Sequence, residues 1–265
     1  MERLQLARDI AHEVGLLTLR YFYNLANLRV DRKADESPVT IADRHAEELL
    51  RLRITEAFPD DAILGEEFPG KPGTSGVRWL LDPIDGTKSF IHGVPVYSTL
   101  IGIEQDGVSV GGVIALPALG EMLWAEKGGG TWHEAPRFTE PVQARVSDCR
   151  DLSQALFLFS ELRTFEETGR TETLRVLEQR ARLTRMWGDA YGYFLVATGR
   201  AEVVVDPQLA DWDAGPLLVI LEEAGGKFTD WKGNATILGK EGIGSNGVLH
   251  EEILRVAKGE PKPYS

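Results

Sequence analysis

The stretch from Trp79 to Thr87, WLLDPIDGT, places the tightest constraint on how this chain can fold. An apolar run suited to the inside of a sheet ends in two carboxylates three residues apart, Asp82 and Asp85. There Pro83, Gly86 and Thr87 force the backbone out of the sheet. Two carboxylates held close at a strand end repel each other unless a proton or a cation lies between them, and with hard oxygen ligands the expected cation is Mg2+ or Mn2+. Gly86 permits close backbone approach, and a helix beginning at Thr87 would set its free N–H groups beside that cation as an anion site. A metal next to an anion site points to phosphate.

Two further acidic groups stand at comparable places. Gly65-Glu66-Glu67 follows the apolar run Ala62 to Leu64, and Asp211-Trp212-Asp213 lies at the mouth of a strongly apolar helical stretch. There Asp213 reads either as a helix N-cap or as a metal ligand. A Glu-Glu pair alone is ordinary solvated surface, so neither group is evidence of a site by itself.

The surrounding pattern is a layered α and β fold. Leu6, Ile10, Val14, Leu17 and Tyr21 recur at three- and four-residue steps and predict an amphipathic first helix. Thr40 and Asp43 stand at capping-box spacing, with Asp in place of Glu or Gln, before a second helix that runs to about Phe58 and is ended by Pro59. The runs Ala62 to Leu64, Trp79 to Leu81, Tyr97 to Glu104, Val108 to Ala115 and Met122 to Ala125 predict hairpins of an antiparallel sheet. Gly128 to Gly130 reads as a turn. From Cys149 onward strand and helix alternate. Strands are expected at Ala155 to Phe159 and Ala201 to Val205, and helices at Thr171 to Leu183, Tyr191 to Thr198, Asp213 to Ala224 and Gly247 to Lys258. The expectation is an N-terminal α+β lobe over residues 1–148 and a smaller C-terminal α/β lobe over 149–265, packed as one body because no linker separates them.

The formal charge of −12 at pH 7 repels phosphate backbones and anionic leaflets, which argues against nucleic-acid and membrane-surface binding. No run approaches the roughly 18 apolar residues of a membrane span, and MERLQLARDIAHEVG lacks the apolar core of a secretory signal. The single cysteine, Cys149, can form no internal disulfide, and a reducing cytoplasm is the expected setting. His12, His45, His92, His133 and His250 have neither H-x-x-x-H nor H-E-x-x-H spacing and read as surface or packing residues; no Walker-type loop is present.

Together, Gly65-Glu66-Glu67, Asp82-Pro83-Ile84-Asp85-Gly86-Thr87, and Trp212-Asp213 followed by Glu222-Glu223-Ala224-Gly225-Gly226 resemble the inositol monophosphatase family of Mg2+-dependent, lithium-sensitive phosphatases in order and approximate spacing. The likeness extends upstream to Lys33 and Val39-Thr40 with Asp43, and downstream to Ser245-Asn246-Gly247. It implies a layered αβαβα sandwich and two or three Mg2+ ions, replaceable by Mn2+, held by Glu66, Asp82, the Ile84 carbonyl, Asp85 and Asp213. It further implies that Glu66 and Thr87 activate water, that the Gly86 and Thr87 amides hold phosphate, and that Asp43 stands near a weakly held third metal. Asp85 and Asp213 would border the substrate, and Lys33 would close over the site. The plain alternatives are Asp43 as a capping residue and Lys33 as a solvated loop charge.

Within the family, Lys88-Ser89-Phe90 continuing to Gly93-Val94-Pro95, Trp187-Gly188-Asp189-Ala190-Tyr191-Gly192-Tyr193, and Asp206-Pro207 resemble the histidinol-phosphatase subgroup. That resemblance implies Gly188, Asp189 and Asp206 at the substrate, with a turn residue and a strand-end residue as the plain readings of the two acids. Carboxylates suit a substrate bearing an ammonium and an imidazole better than a neutral polyol. The alternatives are inositol 1-phosphate or another small phosphate ester, or a silent metal-dependent binding protein on the same fold. A homodimer is the oligomer the family implies. Three Mg2+ ions would bring the charge of −12 to about −6, so that about half of the acid surplus would belong to one site.

Overall fold

The structure is a computed structural model that describes residues 2–32 and 38–259. The first helix, α1 (Glu2–Phe22), buries Leu4, Ala7, Ile10, Ala11, Val14, Gly15, Thr18 and Phe22. Ile10 and Val14 of the expected stripe lie in this face, whereas Leu6, Leu17 and Tyr21 form its half-buried edge. The small residues explain the rotation, since Ala7, Ala11 and Gly15 let the helix axis approach its neighbours and a Cβ at Gly15 would touch Pro117 at 3.4 Å.

A short antiparallel pair, β1 (Val30–Arg32) and β2 (Pro38–Thr40), leads into α2 (Ile41–Ala57). The capping box is present. Thr40 Oγ1 accepts the Ala42 N–H at 3.0 Å, and Asp43 Oδ2 accepts the Thr40 N–H at 2.8 Å.

The main sheet then forms from β3 (Ala62–Gly65), β4 (Val77–Asp85), β5 (Ser98–Gln105), β6 (Val108–Leu116), β7 (Glu121–Glu126), β8 (Gly130–Glu134) and β9 (Val142–Gln143), in that order, with α3 (Thr87–Ile91) between β4 and β5. Every pairing is antiparallel except that of β3 with β4, which is parallel and departs from the expected hairpins. The connection doubles back, with Lys71 bridging antiparallel to Ile63, so the chain re-enters the sheet in its original direction. As a result the carboxyl ends of β3 and β4 lie side by side, Gly65 opposite Leu81.

The second sheet is five-stranded, in the order β11-β10-β12-β14-β13. In chain order its surroundings run β10 (Leu156–Leu158), α4 (Leu162–Glu167), α5 (Thr171–Arg180), β11 (Leu183–Arg185), α6 (Asp189–Ala197), β12 (Val203–Asp206), α7 (Asp211–Ala214), α8 (Leu217–Glu223), β13 (Lys227–Thr229), β14 (Gly242–Ser245) and α9 (His250–Ala257). Three expected helices are shorter or divided. The helix from Thr171 stops at Arg180 because Ala181 turns extended and Leu183 pairs with Leu156 in the sheet. The final helix starts at His250, since Gly247 has a positive φ of 78° and the Asn246 Oδ1 accepts the Leu249 N–H. The stretch expected as one helix from Asp213 breaks into α7 and α8 at Gly215-Pro216, where proline lacks the N–H that a continuous helix needs.

Alternation along the strands sorts the side chains into layers. Trp79, Leu81, Ile101 and Ile103 join Ile10, Val14, Leu50 and Ile54 on the face that α1 and α2 cover. Leu80, Leu100, Ile114 and Leu123 face the other way, against Tyr193, Phe194, Leu217 and Ile220 of α6 and α8. Beyond the second sheet, Phe157, Val203 and Val205 pack on Leu174, Leu177, Ile253 and Leu254 of α5 and α9. The layering is the αβαβα sandwich anticipated above. Among the described residues no helix is long and apolar enough to cross a membrane.

The Gly215-Pro216 break fits into a bare strip of the main sheet. Gly102 pairs with Gly112 across β5 and β6; a Cβ on Gly102 would lie 2.6 Å from the Gly215 carbonyl carbon, and one on Gly112 would lie 2.8 Å from Pro216 Cα. These contacts are with backbone, which cannot move aside cheaply. Gly102→Ala is therefore expected to lower stability in urea unfolding by about 1–3 kcal/mol. An unchanged midpoint would show that the helix break yields.

Candidate active site

The carboxyl end of β4 is irregular, and the irregularity aims the acids. Asp82 pairs with Leu100 and Asp85 with Ser98, so three steps along β4 match two along β5 and the strand bulges at Pro83-Ile84. In a regular strand residues three apart face opposite sides; the extra residue brings Asp82 and Asp85 to one side. Pro83 needs no N–H partner here, its carbonyl accepts the Thr99 hydroxyl at 2.9 Å, and the Ile84 N–H turns back to Asp82 Oδ1 at 3.0 Å.

Asp213 arrives from α7. Its Oδ2 accepts the Ala210 N–H at 2.9 Å, so it caps the helix and also faces the sheet. Carboxylate oxygens of Asp82, Asp85 and Asp213 all lie within 4.8 Å of one another, the only such group among the described residues. Asp85 Oδ2 accepts the Ser98 hydroxyl at 2.6 Å and the Ala190 N–H at 2.8 Å. Burial, reinforced by the charges of Glu66, Asp85 and Asp213, pushes Asp82 well above the usual carboxylate range. Burial and the charges of Asp189 and Asp213 do the same to Asp85, and burial lifts Asp213 to about 7. Three acids that resist joint ionisation, with hard oxygens converging on one point, fit a divalent cation. The donor set suits a hard metal; it contains no histidine or thiol.

The other expected residues surround this cluster. Glu66 follows β3, its N–H donating to the Leu81 carbonyl at 3.2 Å, and although it is outside the tight group its charge raises Asp43, Asp82 and Asp213. Thr87 opens α3, with Gly86 before it at a positive φ of 75°. The Thr87 hydroxyl lies 3.1 Å from the Ile84 carbonyl and 3.4 Å from Asp43 Oδ1. Asp43, nearly inaccessible at 1% exposure, is pushed upward by burial against the hydrogen bonds from Thr40.

On the opposite wall stand Gly188, Asp189 and Asp206. Asp189 has a positive φ of 52°, and its Oδ2 would be 3.1 Å from a Cβ on Gly86. Its N–H donates to Ser160 Oγ at 2.7 Å, while the Ser160 N–H donates to Asp206 Oδ1 at 3.0 Å. A Cβ on Gly188 would collide with Ser160 Cα at 2.1 Å, so only glycine fits. Asp206 lies beneath at 2% exposure and is lifted to about 6, chiefly by burial. The exposed pair Lys88–Glu161, 2.6 Å apart, acts on Asp189 with opposite signs. Lys33 lies outside the described residues.

The structure adds Ser98, Ser160 and Glu47, none of which sequence reasoning singled out. Ser98 and Ser160 carry no motif, because their roles arise from partners 13 and 29 residues away. Glu47 stands four residues after Asp43 on α2, a spacing that places both on one helical face. The histidines lie elsewhere: His45 meets the Tyr21 hydroxyl at 2.7 Å, and His250, lowered to about 4 mainly by burial, lies between Thr229 and Ser245.

Residues 1–261 match the family described as "Inositol monophosphatase family". A histidinol-phosphatase of Chlorobaculum parvum is 44% identical over 97% of this chain and 97% of its own length. A histidinol-phosphatase of Mycobacterium tuberculosis is 38% identical over 95% and 96%. The crystal structure of the extragenic suppressor protein suhB from Bartonella henselae superposes with a TM-score of 0.89 at 28% identity, covering 97% of this chain and 99% of that one. The chain belongs to the inositol monophosphatase family.

Because Asp213 binds its proton more tightly in the folded state than in the unfolded one, its contribution to stability without metal is present below about pH 4 and declines as pH rises toward about 7. Melting temperatures in chelator should thus rise for Asp213→Asn relative to the parent chain between about pH 4.5 and pH 7.5. Excess Mg2+ should reverse the order at the upper pH, because ligation requires the ionised carboxylate. A pH-independent difference would show that Asp213 titrates normally.

Proposed function

We propose that this chain is a Mg2+-dependent phosphatase that splits L-histidinol phosphate into L-histidinol and inorganic phosphate. The observation that carries the reading is the convergence of Asp82, Asp85 and Asp213 beside the start of α3, in a chain whose relatives include proteins named histidinol-phosphatase. Glu66, Asp82, the Ile84 carbonyl, Asp85 and Asp213 would hold two or three Mg2+ ions, with Mn2+ as a substitute. When bound, the ions neutralise the non-bridging phosphate oxygens, acidify the attacking water and stabilise the departing alkoxide.

The chain's own part is to position and to move protons. Thr87 gives its hydroxyl hydrogen to the Ile84 carbonyl, which leaves the oxygen able to accept a hydrogen bond from the attacking water. Asp43 Oδ1, 3.4 Å from that hydroxyl, is a second acceptor for the same hydrogen, and with either acceptor the Thr87 oxygen keeps its lone pairs for the water. The Glu66 carboxylate takes the proton that the water gives up as its oxygen bonds to phosphorus. The ester P–O bond then breaks with its electron pair going to the histidinol oxygen, and that oxygen takes up the proton Glu66 accepted, so one water is consumed and the Glu66 carboxylate is restored. The Gly86 and Thr87 amides hold a phosphate oxygen, and Lys33 closes over it. Asp189 offers negative charge to the ammonium and imidazole of the alcohol. Asp206, through Ser160, supports the Gly188-Asp189 wall. The homodimer and the reducing cytoplasm implied above belong to the same reading. A half-buried Cys149 thiol, 3.4 Å from the Asp151 carbonyl, suits that setting.

A substrate panel at fixed Mg2+ tests the specificity. The kcat/KM for L-histidinol phosphate should exceed that for myo-inositol 1-phosphate by about tenfold or more, or ~1.4 kcal/mol. The reverse order would overturn the substrate assignment. Asp85→Asn should lower kcat by about 1000-fold or more while leaving circular dichroism unchanged, since a lost ligand costs several kcal/mol of charge stabilisation. Phosphate release at the parent rate would remove Asp85 from the site.

A further inference from the structure

We propose that Glu47 and Arg51, on consecutive turns of α2, form a clamp that positions Glu66. The proposal rests on the reading of Glu66 and Thr87 as the pair that activates water. Glu47 is fully buried, and both of its oxygens are engaged: Oε1 accepts Arg51 Nε at 2.7 Å, and Oε2 accepts the Glu67 N–H at 2.7 Å. Arg51 reaches past the acid to the Phe68 carbonyl at 3.0 Å. From the other side, the Glu66 N–H donates to the Leu81 carbonyl at 3.2 Å. Three consecutive residues are thereby anchored by their backbones, two to the helix and one to β4. Gly65 completes the fit, because a Cβ there would lie 2.1 Å from Glu47 Oε1 and would expel the carboxylate.

A buried ion pair is a weak source of stability, since desolvation offsets most of the attraction. Its distinctive property is direction: hydrogen bonds to ionised groups are shorter, stronger and more selective in geometry than neutral ones. The direction matters because Asp43 sits one turn before Glu47 on the same helix and approaches Thr87. Thus α2 touches the Thr87 side of the site through Asp43 and the Glu66 side through Glu47. One rigid element sets the spacing between two groups that lie on separate segments, at the end of β3 and the start of α3. Glu47 and Arg51 act through Glu66 and touch no reacting atom.

The test compares Glu47→Gln, Arg51→Lys, Glu66→Gln and the double variants Glu47→Gln/Glu66→Gln and Arg51→Lys/Glu66→Gln, assayed with L-histidinol phosphate at saturating Mg2+ and corrected for folded fraction. Each clamp variant should lower kcat about 10–100-fold with KM changed by less than about threefold, the range for residues that orient a ligand. Calorimetry with Mg2+ alone should show weaker binding. Each double variant should be no slower than Glu66→Gln, because a residue that acts through Glu66 has nothing left to position. Multiplying losses in the double variants, or a lowered melting temperature with unchanged kcat per folded molecule, would overturn the clamp. If Glu47→Gln does not fold, Arg51→Lys decides by the same criteria. Parent-like turnover by Glu66→Gln would instead overturn the role of Glu66, whereas parent-like turnover by both clamp variants beside an inactive Glu66→Gln would overturn the clamp alone.

Discussion

Mutual repulsion among Asp82, Asp85 and Asp213 is the constraint on which the rest of this fold depends. Carboxylates with oxygens within 4.8 Å of one another, two of them buried, would separate if they were free to do so. Each is held by a donor on one oxygen: the Ile84 N–H for Asp82, the Ser98 hydroxyl and Ala190 N–H for Asp85, and the Ala210 N–H for Asp213. These donors come from a bulge, a neighbouring strand, and the openings of α6 and α7. Asp82 and Asp213 also meet each other side chain to side chain, an arrangement that needs a proton or a cation between them. The repulsion is therefore unrelieved without metal or proton, and it is what makes the cluster able to bind one.

Convergence is achieved by backbone devices and not by side-chain packing alone. The parallel pairing of β3 with β4 puts Gly65 opposite Leu81, so that Glu66 emerges beside Asp82. The bulge turns Asp82 and Asp85 to one side, and the bare strip at Gly102 and Gly112 admits Gly215-Pro216, which brings α7 down onto the sheet with Asp213 at its mouth. A side chain at either glycine would hold α7 away by contact with backbone. The apolar layers above and below would tolerate many exchanges of similar volume, whereas these positions fix the height of one acid above another.

What was legible in the sequence follows from how local each determinant is. The strand-then-turn pattern of Trp79 to Thr87, the capping box at Thr40 and Asp43, and the helix α1 depend on neighbours within a few residues; all three form where expected, although the buried face of α1 is rotated toward Ala7, Ala11 and Gly15. The parallel edge was hidden because it depends on the Lys71–Ile63 bridge, which no pattern in the connection announces. The break at Pro216 was available from the proline itself, but the strongly apolar run on either side reads as one helix. Ser98, Ser160 and Glu47 stayed unnoticed because an isolated serine or a helix glutamate has an ordinary surface reading until its distant partner is known. Asp82 and Asp85 were readable from their spacing as a pair at one strand end and Asp213 as a separate acidic group, and the family likeness, not spacing, joined the pair to Asp213.

Asp189 shows how closely the two walls of the site are joined. Its positive φ of 52° costs of order 1–2 kcal/mol for a residue with a side chain, although aspartate tolerates it better than most. Glycine would adopt the conformation more cheaply but would carry no carboxylate. An ordinary helical conformation would turn the following amide away, and that amide, the Ala190 N–H, donates to Asp85 Oδ2. The strained residue thus presents its carboxylate to Gly86 while its successor secures an acid of the cluster. Its own N–H, bound to Ser160 Oγ, keeps it from relaxing. The geometry of one peptide unit ties the wall beside Gly86 to the carboxylates of β4, so neither can shift without disturbing the other.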